Sequence, residues 1–239
     1  IAALDPNSKA IRQIRGGRIS IIFQEPMTSL SPVHTIGDQI SEALFLHRDF
    51  SQAEGMELTQ TMLSQVGFPD PKRALKMYPF ELSGGLRQRA MIAMAMICHP
   101  TLMIADEPTT ALDVTIQARI LKLIKELQAE LGMALLLITH DLGVVANMAD
   151  KVAVMYHGKI VESGSLKSLF DNPQHPYLKA LMKAVPRFDM EPNERLTPLR
   201  EIELQTGSIG KNKVPWTEQA CSVPHLKIEQ ISKTYTLRN

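Results

Sequence analysis

At 239 residues the chain has room for one sizeable domain with a tail, or for one and a half domains, and its 44% hydrophobic content supports a real core. A formal net charge of +1 gives no basis for broad attraction to nucleic acid or membrane, so no nucleic-acid partner is expected. Two cysteines, Cys98 and Cys221, are too few for a disulfide framework and point to a reducing compartment, and no apolar run approaches the roughly 18 residues of a membrane span.

In chain order, Ile19-Ser20-Ile21-Ile22-Phe23 is β-branched and aromatic and predicts a buried strand, which ends at Gln24 before Glu25-Pro26. Helical patterns follow over 36–46 and 52–66, and Pro69, Pro71 and Pro79 then break the chain. Ser83 can cap a helix running from about Gly85 to Cys98. Leu102 to Ala105 predicts a strand that delivers Asp106 and Glu107 at its carboxyl end. The clearest amphipathic helix spans Thr115 to Leu131, with Ile116, Ile120, Leu123, Ile124, Leu127 and Leu131 in one stripe. Ala134 to Ile138 predicts a second buried strand, ending at Thr139-His140. Two further strands flank His157-Gly158 as a hairpin, and a short helix follows Asn172-Pro173-Gln174-His175-Pro176-Tyr177, ending near Pro186. Residues 187–222 read as a polar linker, and 226–235 alternate like a strand. Strands alternating with helices imply an α/β fold with a mainly parallel sheet.

Several of these residues have chemistry open to them. Asp106 and Glu107 lie where a strand ends, at the sheet edge that binds ligands in α/β folds. One carboxylate could hold Mg²⁺ and the other could orient a water as general base. Ser83-Gly84-Gly85 offers close backbone approach and a helix N-terminus to an anion. Taken alone, an Asp-Glu pair is more often a solvated turn, and Ser-Gly-Gly is as often a plain helix cap. An isolated Gln24 or His140 is also more often structural or surface.

Together, Glu81-Leu82-Ser83-Gly84-Gly85-Leu86-Arg87-Gln88-Arg89 resembles the signature loop of ATP-binding cassette (ABC) ATPases. Leu102 to Asp113 resembles their acidic strand and the D-loop after it. Gln24 matches the family's Q-loop and His140 its switch histidine, so motifs in the family's order cover most of residues 19–165. The resemblance implies an ABC ATPase, P-loop-like fold: a mostly parallel sheet with an α-helical subdomain over 25–99. It implies ATP and Mg²⁺ as cofactors, with Asp106 and Gln24 at the metal. It implies Glu107, His140 and Gln24 in hydrolysis. Ser83, Gly84, Gly85, Gln88 and Asp113 would act toward ATP held by an opposing domain. Partners implied are a second ABC domain, membrane permease subunits and, indirectly, a solute-binding protein, at the cytoplasmic face of a bacterial inner membrane.

Phe23 to Pro32 and Pro173 to Tyr177 resemble the dipeptide, oligopeptide and nickel importer branch. Leu226 to Asn239 resembles the opening strand of another ABC domain, with Tyr235 as its adenine-stacking aromatic, which suggests the tandem subfamily of glutathione and microcin-type peptide importers. The expected division is then a partial ABC domain over 1–165, an extension and linker over 166–222, and the start of a second domain from 223. With Cys221 alone in the tail, no iron–sulfur cluster is expected.

One departure is plain: no G-x-x-x-x-G-K-[ST] occurs in the sequence, and Gly16-Gly17 does not replace it. With Ile at position 1, the expectation is an N-terminally truncated chain that binds ATP poorly, does not turn it over, and leaves apolar sheet surface exposed. Two other readings stand beside the transport ATPase: a non-transport ABC ATPase and a non-catalytic interaction module.

Overall fold

The computed structural model describes residues 1, 4–24, 29–110 and 112–184. Its main sheet has three parallel strands in the order β1 (Ile19–Ile22), β2 (Leu102–Asp106), β3 (Ala134–Ile138). The register pairs Ile21 with Ile104 and Ile104 with Leu136, and it sets Asp106 opposite Ile138. A short helix, α1 (Lys9–Ile14), precedes β1.

Between β1 and β2 the chain builds the helical layer: α2 (Ile36–His47), α3 (Gln52–Gln65), the single turn α4 (Pro71–Ala74) and α5 (Gly84–Met96). Local chemistry sets each start. Thr35 caps α2, Ser51 and Glu54 close a reciprocal capping box on α3, and Ser83 accepts from the Leu86 N–H to open α5. After β2 comes α6 (Val114–Leu131), capped by Asp113 and ended by Gly132 at φ 60°, where the left-handed conformation favours glycine. Its predicted stripe is the face that packs: Ile120, Leu123, Ile124 and Leu127 are buried. These side chains share one core with Ile22, Ile36, Ile40, Ile92, Met96 and Met103.

The sequence reads β1 and β3 as buried strands and also leads one to expect apolar sheet surface left exposed. Each strand does present one face to solvent. Ile21 is 43% exposed, Phe23 55%, Leu136 51% and Ile138 46%. The reason lies in the layering. Ile22, Met103 and Ala105 point into the helical core, whereas Ile21, Ile104 and Leu136 share the opposite face, which is only partly covered. That face bounds an apolar cavity of about 610 Å³ lined by residues such as Ile11, Ile14, Ile21, Phe23 and Ile104.

Beyond β3, α7 (Leu142–Met148) leads to the antiparallel hairpin of β4 (Lys151–Tyr156) and β5 (Lys159–Ser165). His157 at φ 47° and Gly158 at φ 75° give the two left-handed residues of a tight hairpin turn, as their positions predict. Two helices, α8 (Leu166–Asp171) and α9 (Pro176–Lys183), pack on this hairpin through a second core of Val154, Leu169 and Leu178. Residues on both sides of 165 therefore belong to one packing unit. The predicted linker, the strand at 226–235, Tyr235, Cys221 and the end near Pro186 lie outside the described residues, as do Glu25 to Thr28. Among the described residues, no helix is long and apolar enough to cross a membrane.

Candidate functional site

The parallel register brings the ends of β1, β2 and β3 to one edge, and the side chains that leave there meet. Glu107 is the centre. Its N–H donates to the Ile138 carbonyl at 2.9 Å, so β3 holds the residue just past β2. Its φ is 44°, in the left-handed region that a non-glycine residue adopts only at some cost. Oε1 lies 2.8 Å from His140 Nδ1; Oε2 accepts from the Gln24 amide at 2.9 Å and from the Thr110 hydroxyl at 2.9 Å. The His140 contact, then the Thr110 hydroxyl, hold the Glu107 carboxyl below the ordinary glutamate range, so it is a carboxylate at neutral pH. Glu107 itself is 22% exposed at its side chain, while His140 is 79% exposed and open to a ligand.

Two of the predicted residues, Gln24 and His140, are thus each within hydrogen-bond reach of a third, Glu107, although 83 and 33 positions separate the pairs. Thr110 is a fourth member that the sequence reading passed over. The available signal was local: a hydroxyl three residues after a carboxylate in a turn, where such side chains commonly bond back.

Asp106 ends β2, half-buried, beside Glu107. Mg²⁺ usually takes one or two protein carboxylates and completes its shell with phosphate oxygens and water. Asp106 with the Gln24 amide fits that donor set. Among the described residues, no group of three or more His, Cys, Asp or Glu could cage a metal. ATP is matched in part: the residues present suit the water and metal side, and the 239-residue sequence holds no phosphate-cradling loop or its lysine.

The signature segment faces elsewhere. Ser83 and Gly84 are exposed at the N-terminus of α5. The two glycines differ. A Cβ on Gly85 would lie 3.1 Å from Ile116 Cγ2, a tight contact that would require that side chain to shift, so this glycine sits close against α6. A Cβ on Gly84 would meet nothing nearer than Leu112 Cδ2 at 3.9 Å, so nothing within the chain demands glycine there. Gln88, grouped by sequence with the ligand-contacting residues, points inward: it is 1% exposed and its amide donates to the Pro108 carbonyl. Asp113 accepts from the Ile116 N–H at 3.0 Å as the cap of α6, and Val114 beside it is 83% exposed.

A strand-end acidic pair, a glutamine and histidine gathered on it, and a glycine-bearing helix start presented outward together define an ATP-binding cassette. Comparison with known proteins gives the same class and a narrower one. The ABC transporter family matches residues 3–110, and the oligopeptide/dipeptide transporter C-terminal region matches residues 161–212. The dipeptide transport ATP-binding protein DppD of Bacillus subtilis is 56% identical over 193 residues, 81% of this chain and 57% of that protein. The glutathione import ATP-binding protein GsiA of Escherichia coli K12 is 55% identical over 183 residues, 77% of this chain and 29% of that protein. Among solved structures, a dimeric ATP-binding cassette in a post-hydrolysis state bound to ADP and phosphate superposes with a TM-score of 0.59 at 28% identity, over 69% of this chain and 68% of that one. A component of an ABC transporter complex from Clostridium perfringens gives 0.61 at 28% identity, over 70% and 64%. The chain belongs to the ABC transporter ATP-binding proteins, with the C-terminal region of the oligopeptide/dipeptide branch. It spans little more than half the length of DppD.

Proposed function

We propose that this chain is the hydrolytic and signature-bearing part of an ATPase that energises uptake of peptides or similar small solutes through a membrane permease. The observation that carries the hydrolytic reading is the Glu107 carboxylate held by Gln24, Thr110 and His140 at the carboxyl edge of the sheet. Mg·ATP, when bound, supplies the γ-phosphoryl group and the charge neutralisation for its transfer to water. Asp106 and the Gln24 amide would hold the Mg²⁺. Glu107 accepts a hydrogen bond from the attacking water and, kept anionic by its partners, takes up its proton. His140 fixes one carboxylate oxygen and offers its exposed ring to the γ-phosphate.

The exposed Ser83 and Gly84 act in trans. The start of α5, with its free N–H groups and dipole, closes over ATP held by an opposing ABC domain, and Asp113 with exposed Val114 meets that domain. Both importer relatives, named for dipeptide and glutathione, support small peptides as cargo. On this reading the exposed side of the helical layer is the surface for the permease, and the chain works at the cytoplasmic face of the membrane. These 239 residues contain no phosphate loop, so by themselves they should bind ATP weakly.

The test is Glu107→Gln in a form preceded by a strand and a G-x-x-x-x-G-K-[ST] loop. ATP should then be bound and not turned over, leaving a stable closed pair of domains; unchanged turnover would remove Glu107 from the mechanism.

A further inference from the structure

The turn that carries Glu107 is held from three directions. From β3, the Ile138 carbonyl accepts the Glu107 N–H at 2.9 Å. From within, the Thr110 N–H donates to the Glu107 carbonyl at 3.1 Å, and its hydroxyl donates to Oε2. From α5, the Gln88 amide donates to the carbonyl of Pro108, the residue immediately after Glu107. Pro108 is buried, so that carbonyl is shut away from water and depends on a protein donor. Gln88 is itself buried, and the glycine two residues into the same helix packs directly on α6. A left-handed Glu107 persists only where its surroundings over-determine it.

Resting on the reading of Glu107 as the water-positioning carboxylate, we propose that Gln88 is a positioning residue. It ties the first turns of α5 to the Pro108 carbonyl and thereby sets the turn that aims Glu107 at Gln24 and His140. The helix that presents Ser83 and Gly84 to an opposing nucleotide is then mechanically joined, through one amide, to the hydrolytic carboxylate of its own chain. Gln88 touches no ligand in this role, which replaces the direct nucleotide contact that the sequence suggests for it.

The test uses the 239-residue chain without nucleotide. Gln88→Met keeps the bulk and removes the donor. Amide exchange at Glu107 and Thr110 should quicken roughly tenfold, the effect of one lost hydrogen bond, while the interior amides of α5 from Ala93 to Met96 keep their protection. The imidazole ¹⁵N signals of His140 should move at fixed pH as its contact with Glu107 loosens. Unchanged exchange at Thr110, or equal loss of protection across α5, β2 and the turn, would overturn the proposal, since the second pattern marks a residue that only fills the core. If Gln88→Met does not fold, Gln88→Glu decides. Protonated, the introduced carboxyl still donates to Pro108, so protection should be native at low pH and fall as that group ionises; protection of the turn that stays constant through that ionisation would overturn the proposal. No ATP enters these measurements, so they can fail while Glu107→Gln still traps nucleotide, and they can succeed if it does not.

Discussion

At the scale of single residues, sequence identity and three-dimensional role agree wherever the role is local and diverge where it depends on what lies across the core. Asp113 and Ser83 act as the helix caps their spacing predicts. Gln24, Glu107 and His140 meet as the ABC pattern requires, but nothing in the linear spacing shows that Thr110 joins them or that Gln88 turns inward. The paired glycines make the same point with a measurable consequence. Gly85→Ala sets a Cβ 3.1 Å from Ile116 Cγ2 and should leave the chain less stable than Gly84→Ala does, by about 1 kcal/mol, the lower end of overpacking. Gly84→Ala, with open space in the chain, should change thermal stability within about 0.5 kcal/mol, typical of surface sites. Equal loss at both positions in a thermal or urea melt would show that the difference in packing is wrong.

At the scale of elements, strands β1 to β5 and helices α2, α3, α5, α6 and α9 were legible in approximate extent, because caps, glycines and prolines mark their ends, whereas the short helices α4, α7 and α8 were not read from the sequence. Burial was less legible. A continuous apolar run such as Ala134 to Ile138 fits a strand covered on both faces, and periodicity alone cannot show that one face is bare. The attachment of α9 was also out of sight in sequence. The Glu162 carboxylate on β5 accepts the N–H of Gln174 at 2.9 Å and of His175 at 2.8 Å, just before α9 begins. Those two bonds, the Gln174 one first, hold its pKa below the ordinary glutamate value. A lowered folded value means the stabilisation is complete above the ordinary range and is lost as pH falls through the lowered value. Protection of the Gln174 and His175 amides, measured against their intrinsic exchange rates, should therefore fall in acid. Glu162→Gln, which can accept through only one oxygen, should quicken one or both amides already at neutral pH. Protection insensitive to pH and to the substitution would show that the Val154, Leu169 and Leu178 core alone seats α9.

For the whole molecule, the bare face of the parallel sheet is the dominant physical fact. Parallel sheets are almost always covered on both faces, and here Ile21, Phe23, Leu136 and Ile138 stand 43–55% exposed on one side. The same face leads along β2 to Asp106, so whatever covers it also abuts the edge that carries Asp106 and Glu107. The 239-residue chain should bind an apolar dye in its folded state and self-associate with rising concentration. Ile21→Thr with Leu136→Thr should weaken both without lowering the melting temperature. A monomeric chain that binds no dye would show that the face is covered in solution.

The central claim is that this chain supplies a signature loop to ATP held by another ABC domain. Sedimentation of the chain mixed with a phosphate-loop-bearing domain of the same branch, its own hydrolytic glutamate changed to glutamine, tests that directly. With Mg·ATP the pair should sediment as a 1:1 complex, without nucleotide as separate species, and Gly84→Asp, which sets a carboxylate against the γ-phosphate, should abolish the complex. Association that ignores ATP, or survives Gly84→Asp undiminished, would contradict the account.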